Sequence, residues 1–151
     1  MRLFNNGRTL ALQRIVTAKL ASIDAIVAGG GAVYVETNAQ FIKSFGWCLL
    51  ERLDPQHVGV LHLKRADDDV VASFVANAEA PGFTAFADVW NLSPAASVTL
   101  TPPPSGAQLT PLAAVRWQLA EIDARAEVLR QRFPGITWHA TTLAQLNSLD
   151  G

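Results

Sequence analysis

Apolar side chains recur at steps of three and four residues along two long stretches of the chain, residues 9–28 and 111–133. This spacing places them on one face of a helix, so each stretch predicts a long amphipathic helix that packs on a sheet. Thr110, followed by a proline, supplies an N-terminal cap for the second helix. Glu121 and Arg125 lie four residues apart on that helix and are expected to pair on its surface. The apolar positions are Leu12, Ile15, Val16, Leu20, Ile23, Ile26 and Val27, then Leu112, Val115, Leu119, Ile122, Ala126, Leu129 and Phe133.

Three short apolar runs, residues 32–35, 58–64 and 136–140, have the length and residue types of strands. Each is followed by a helical pattern, and repeated strand–helix units imply parallel strands joined by right-handed crossovers. The predicted fold class is therefore α/β, with a small parallel sheet of about three strands in that order, flanked by helices. The helices that follow the strands are predicted at residues 39–53, 67–77 and 142–146.

Three consecutive glycines, residues 29–31, separate the first helix from the first predicted strand. A glycine loop that cradles phosphate follows a strand and opens a helix, and here the order is reversed. Termination of the helix by a turn is the favoured interpretation, with ligand binding as the alternative.

Residues 78–110 show no helical or strand periodicity and are rich in proline and glycine. Connections of this length are uncommon in compact domains and usually act as lids or binding loops, or are mobile. Phe83, Phe86 and Trp90 either pin this loop to the core or line a lid over a site. We expect one domain, residues 1–151, made of a helical segment (1–31), two strand–helix units (32–77), this loop (78–110) and a closing helix–strand–helix segment (111–151).

Composition limits the classes of function. Half of the 151 residues are hydrophobic and 17% are charged, as in a globular domain, and the net charge is −1. No more than two basic residues are consecutive, which argues against a nucleic-acid binder that works by neutralising phosphates. Cys48 is the one cysteine, so an internal disulfide and a cysteine-based zinc site are excluded, and its place on an apolar helix face predicts a packing residue. Neither a secretory signal nor a membrane-spanning run is evident, so we expect a cytoplasmic protein.

The chemistry is expected where the strand 58–64 ends, because ligands bind at the carboxyl edge of open α/β sheets. Arg65 follows this strand, and Ser73 lies eight residues further on, in the next helix. A guanidinium and a hydroxyl so placed can converge on a phosphate. In the alternative, Arg65 pairs with Asp67 or Asp69, and Ser73 is a small packing residue.

No metal site is predicted. Asp67, Asp68 and Asp69 are consecutive, so their side chains point in different directions, and a helix start explains them through the helix dipole and capping. The histidines lack metal-ligand spacing; His62 and His139 lie in strands, where hydrogen-bonded interior positions are the simpler interpretation.

Arg65, Asp69, Val70 and Ser73, with Phe74 after them, resemble a motif of the P-loop sulfotransferase superfamily, and the similarity in layout spans residues 32–146. The resemblance implies that Arg65 and Ser73 bind the 3′-phosphate of 3′-phosphoadenylyl sulfate (PAPS) or of its product, adenosine 3′,5′-bisphosphate (PAP). It also implies a sheet derived from the P-loop NTPase fold.

Within this resemblance, Glu36 is the candidate general base, because it sits at a strand end that an acceptor hydroxyl could approach. Asn38 would orient the substrate, and residues 78–110 would close over it. The alternative for Glu36 is a helix-start carboxylate with no catalytic role.

The family's glycine-rich phosphate-binding loop should precede this region, and Asn6-Gly7-Arg8-Thr9 lacks the strand that such a loop follows. We therefore expect a reduced sulfotransferase-like domain that cannot transfer a sulfuryl group alone. The alternative is a non-catalytic interaction protein that kept the fold. A small parallel sheet leaves unpaired edges, which predicts a homodimer or larger assembly.

Overall fold

The structure of the chain, a computed structural model, describes residues 9–31 and 33–148. Asn6, Gly7, Arg8 and Ala32 lie outside the described residues. The described part is a mixed α/β fold with six α-helices and a two-stranded parallel sheet. Its elements are α1 (Thr9–Ala28), α2 (Gly46–Leu50), β1 (Gly59–Lys64), α3 (Asp67–Ala76), α4 (Ala85–Trp90), α5 (Pro111–Arg132), β2 (Thr137–Thr142) and α6 (Leu143–Asn147).

The sheet has two strands where the sequence predicted about three. β1 and β2 pair in parallel, from Gly59 opposite Thr137 to Lys64 opposite Thr142, which confirms the predicted strands 58–64 and 136–140. The first predicted strand is wrong in its described part, because residues 33–38 belong to no helix or strand. This segment is held instead by an ion pair between Glu36 and Lys19 of α1.

Within the described residues, only one face of the sheet packs against a hydrophobic cluster. Val60 and Trp138 point to this face and pack against a buried cluster formed by Leu50, Leu129 and Ile136. On the opposite face, Leu61 and Leu63 remain 58% and 46% exposed. Parallel sheets are normally covered on both faces, so this open face is an unusual feature of the described chain.

The first two helical predictions hold, with a local change in the second. α1 ends at a glycine turn in which Gly30 takes a φ of 83°, as the turn interpretation predicted. The helix predicted at 39–53 begins as a π-helical turn, Phe41–Phe45, and continues as α2. The Gly46 N–H donates to the Phe41 carbonyl, and a Cβ on Gly46 would lie only 2.6 Å from that oxygen. Glycine is therefore the residue that fits this junction.

A buried cluster joins α1 to this second helical segment. Leu12 and Val16 of α1 pack with Phe45 and Leu49, and Cys48 packs against the cluster, as its apolar position predicted. Burial raises the pKa of the Cys48 thiol, which keeps it in the unreactive protonated form.

The region 78–110 contains a short helix that its sequence did not reveal. α4 begins after Thr84, whose Oγ1 accepts from the Ala87 N–H at 3.0 Å. Phe83, Phe86 and Trp90 are 43%, 60% and 52% exposed, so the first of the two alternatives, that they pin the loop to the core, is wrong. Ala87 and Leu92, which are fully or almost fully buried, hold this region instead.

The helix α5 confirms the predicted boundaries, and the Thr110 Oγ1 accepts from the Ala113 N–H at 3.2 Å. Its buried face differs from the predicted apolar stripe, because it includes Gln118, Glu121 and Arg125. The predicted Glu121–Arg125 pair forms, but in the interior rather than on the surface. None of the helices in the described ranges is both long and apolar enough to cross a membrane.

Candidate functional site

The carboxylate of Glu36 is the centre of a polar cluster beside α1. Its Oε1 forms an ion pair with the Lys19 ammonium and accepts from Asn38 Nδ2 at 2.7 Å. Its Oε2 accepts from the Tyr34 hydroxyl at 2.6 Å. Asn38 also accepts from the Gln40 N–H at 2.8 Å, a turn that leads into the π-helical segment. The structure therefore brings together the two candidate catalytic residues, Glu36 and Asn38.

The electrostatics of this cluster do not suit a general base. Partial burial raises the pKa of Glu36, but hydrogen bonds from Lys19, Tyr34 and Asn38 outweigh it and lower that pKa to about 2. A general base works best when its pKa lies near the operating pH. A carboxylate with so low a pKa accepts a proton poorly, and its oxygens are already occupied. The cluster serves better to fasten residues 33–38 to α1.

The two candidate phosphate ligands, Arg65 and Ser73, lie just after β1 and in α3. Arg65 directly follows β1 and is exposed, and its side chain makes no hydrogen bond or ion pair with any described residue. The alternative pairing with Asp67 or Asp69 is therefore not formed. Ser73 is half-buried in α3. Among the contacts of the described residues, none links Arg65 or Ser73 to Glu36.

A pocket of about 310 Å³ opens between α3 and α5, close to the carboxyl end of β1. That volume is at the small end of the range for ligand pockets, whose walls are mostly apolar. Two carboxylates and one guanidinium stand on these walls. Lys64 pairs with Asp123 at 2.8 Å, and Arg116 pairs with Asp68 at 3.2 Å, so most of the nearby charge is neutralised in pairs. The lining residues are Asp67, Arg116, Leu119, Ala120 and Asp123.

The first turn of α3 carries the three consecutive aspartates, as predicted, but its N-cap residue, Ala66, makes no side-chain cap. The carboxylates therefore act through the helix dipole rather than by capping. Their negative charge also opposes a phosphate at this helix start.

The histidine predictions hold in part, because the register decides their environment. His62 is half-buried on the covered face of the sheet, whereas His139 pairs opposite Leu61 on the open face and is exposed. The interior position predicted for His139 is therefore wrong. Within residues 9–31 and 33–148, no group of three or more His, Cys, Asp or Glu side chains could hold a metal ion.

Sequence reasoning missed a buried polar network on α5. Glu121 is fully buried, and its carboxylate accepts from the Thr101 N–H at 2.8 Å and from Arg125 Nε at 2.7 Å. Arg125 also donates to the carbonyls of Lys43 and Val98, each at 3.0 Å. Burial raises the pKa of Glu121, but the hydrogen bonds from Arg125 and Thr101 outweigh it and lower that pKa. The four-residue spacing signalled the pair, but only tertiary packing shows that it is buried.

Lys43 is a second polar group that the sequence did not single out. Its ammonium donates to the Trp90 carbonyl at 3.1 Å, and Gln40 Nε2 donates to the same oxygen at 2.7 Å. Burial lowers the pKa of Lys43. These donors satisfy the carbonyl end of α4 and fix that helix with its aromatic side chains turned outward.

Comparisons of the chain with protein-family models, with curated proteins and with solved structures find no match.

Proposed function

We propose that this chain is a non-catalytic interaction protein that assembles with copies of itself through the open face of its sheet. The observation that supports this best is the exposure of Leu61 and Leu63, at 58% and 46%, on a parallel sheet. Such a face is normally covered by helices, and a second copy is one source of that cover.

The size of the exposed surface indicates how much the open face can contribute to the free energy of association. Full burial of a leucine stabilises by about 1.5–3 kcal/mol, so each half-exposed leucine adds about 0.8–1.5 kcal/mol when covered. A symmetric pair of faces would thus add about 3–6 kcal/mol, close to the lower limit of the cost of association. Further apolar surface must take part in a stable dimer, and the described chain offers it at Val33 and Val35, which are 73% and 82% exposed.

The arrangement of the candidate catalytic residues supports the absence of catalysis. Glu36 has a pKa of about 2 and is held by three donors, two of them from its own segment. Arg65 lies just before α3 and Ser73 lies within it, and the first turn of this helix is acidic. No hydrogen bond or ion pair among the described residues joins these two groups.

Sedimentation velocity over a range of concentrations tests the proposal. The wild-type chain should sediment as a dimer or larger at micromolar concentration, and Leu61→Lys should shift it towards the monomer. Val75→Lys is the matched control, since Val75 is 47% exposed but lies on α3, away from the sheet. A wild-type chain that stays monomeric, or equal effects of the two substitutions, would overturn the proposal.

A second candidate function is binding of a 3′-phosphonucleotide, PAPS or PAP, as the sulfotransferase resemblance implies. The guanidinium of Arg65 supports it, because it is exposed at the carboxyl end of β1 and pairs with none of the described residues. If PAP binds the folded chain alone, it raises the melting temperature through mass action. Arg65→Ala should abolish this shift, whereas Arg52→Ala, which removes another exposed arginine, should retain it. An unchanged melting temperature at millimolar PAP would exclude this function.

A further inference from the structure

We infer that residues 33–37 form a third strand that pairs with the free edge of β1 in a second copy of the chain. This inference rests on the proposed function, because it requires self-association, and it names the segment that makes the contact. Three properties of the segment and one property of the sheet support it.

The backbone of residues 33–37 has no partner in the described chain. None of its N–H or C=O groups is hydrogen bonded to the backbone of another described residue. The types in this segment, Val-Tyr-Val-Glu-Thr, are mostly those that favour strands. A row of unpaired backbone N–H and C=O groups is a template for pairing with another strand.

The side chains of the segment alternate as they do in a strand. Tyr34 and Glu36 lie on one side and are bonded to each other, and Glu36 also contacts Lys19 of α1. Val33 and Val35 point away and are 73% and 82% exposed. The polar bonds therefore hold the segment ready for pairing, which reduces the ordering cost of association.

The residue types on the open face select β1 over β2. Each strand of the two-stranded sheet has one edge that no described strand pairs with. A third strand beside β1 brings Val33 and Val35 next to Leu61 and Leu63, which joins apolar groups on one surface. Beside β2, the outward neighbours would be Thr137 and His139, both polar and exposed.

A second copy fits this role better than the same chain. The Lys19–Glu36 ion pair ties the segment to α1, and in this position its backbone makes no hydrogen bond to β1 of the same chain. A partner copy can approach the exposed side without disturbing these bonds. In a two-fold dimer each copy gives one segment and accepts one, so the same contact forms twice.

Cross-linking with isotope labels tests which chain the segment contacts. A photoreactive amino acid is placed at Val35 in equal mixtures of isotopically light and heavy chains at micromolar concentration. We expect light–heavy cross-links from position 35 to residues 59–64. The control position is Val27, which is 63% exposed on α1 and should not cross-link to β1. Links to β1 that are only light–light or heavy–heavy, or links to other regions, overturn the inference.

Amide hydrogen exchange tests whether the contact is a strand pairing. In a ladder, alternate residues face the partner, so either the amides of residues 33, 35 and 37 or those of 34 and 36 should exchange at least tenfold more slowly in the wild-type assembly than in the Leu61→Lys variant. Equal exchange rates in an assembled wild type overturn the inference but leave the proposed function standing. A monomeric wild type overturns both.

Discussion

Arg125→Met should strongly destabilise the fold, because Arg125 is the only cation bonded to a fully buried carboxylate among the described residues. The substitution keeps a long apolar side chain but removes three hydrogen bonds, to Glu121 and to the carbonyls of Lys43 and Val98. The Glu121 carboxylate then remains at 0% exposure without its positive partner. The segment around Val98 also loses a tie to α5.

The expected magnitude follows from the burial. Removal of one partner of a buried ion pair costs about 3–5 kcal/mol in the free energy of unfolding. In a domain of this size, 1 kcal/mol corresponds to about 2–4 °C in the melting temperature, so the loss should be about 6–20 °C. The total stability of such domains is about 5–15 kcal/mol, so this loss removes a large fraction of it.

Differential scanning calorimetry and urea unfolding followed by circular dichroism measure this effect. The matched control is Arg130→Met, on the same helix, whose ion pair with Glu127 at 3.0 Å is about half exposed. That variant should lose no more than about 1 kcal/mol. If Arg125→Met melts within about 2 °C of the wild type, then the network does not hold residues 98–101 to α5 in the way described.

Two further predictions concern the second helical segment and the Glu36 cluster. Gly46→Ala should cost about 1–3 kcal/mol, because its Cβ would meet the Phe41 carbonyl at 2.6 Å, and urea unfolding would detect it; an unchanged midpoint contradicts the π-to-α junction. The pKa of Glu36 is lowered from 4.5 to about 2 by folding, so its ionised form stabilises the fold above pH 4.5, and this contribution declines as the pH falls towards 2. The stability difference between wild type and Glu36→Gln should accordingly be constant above pH 5 and vanish near pH 2. A difference that does not depend on pH would show that the Glu36 charge plays no part.

Local patterns in the sequence predicted much of the fold. The helical stripes predicted α1 and α5, and the apolar runs predicted β1 and β2, because each signal depends on residues that are near in the chain. α4 was missed because six residues are too short to show a period, and its one signal was the cap at Thr84. The strand at 32–35 was predicted from residue types alone, and the backbone of its described part pairs with no other described segment.

The site was harder to predict, since it depends on contacts between distant residues. The sequence placed Glu36 and Asn38 near each other, and they do contact, but the contact with Lys19 that lowers the pKa of Glu36 comes from α1. Arg65 was correctly placed directly after a strand, but the sequence did not indicate that its side chain would pair with none of the described residues. The polar network on α5 could not be predicted as buried, because its burial depends on residues 98–101 crossing the helix.

Size-exclusion chromatography with light scattering tests the central claim most directly. The chain has a mass of 16.2 kDa, and we expect a particle of at least twice that mass at micromolar concentration. A single species of 16.2 kDa at every concentration would contradict the claim that the open face of the sheet is covered by another copy.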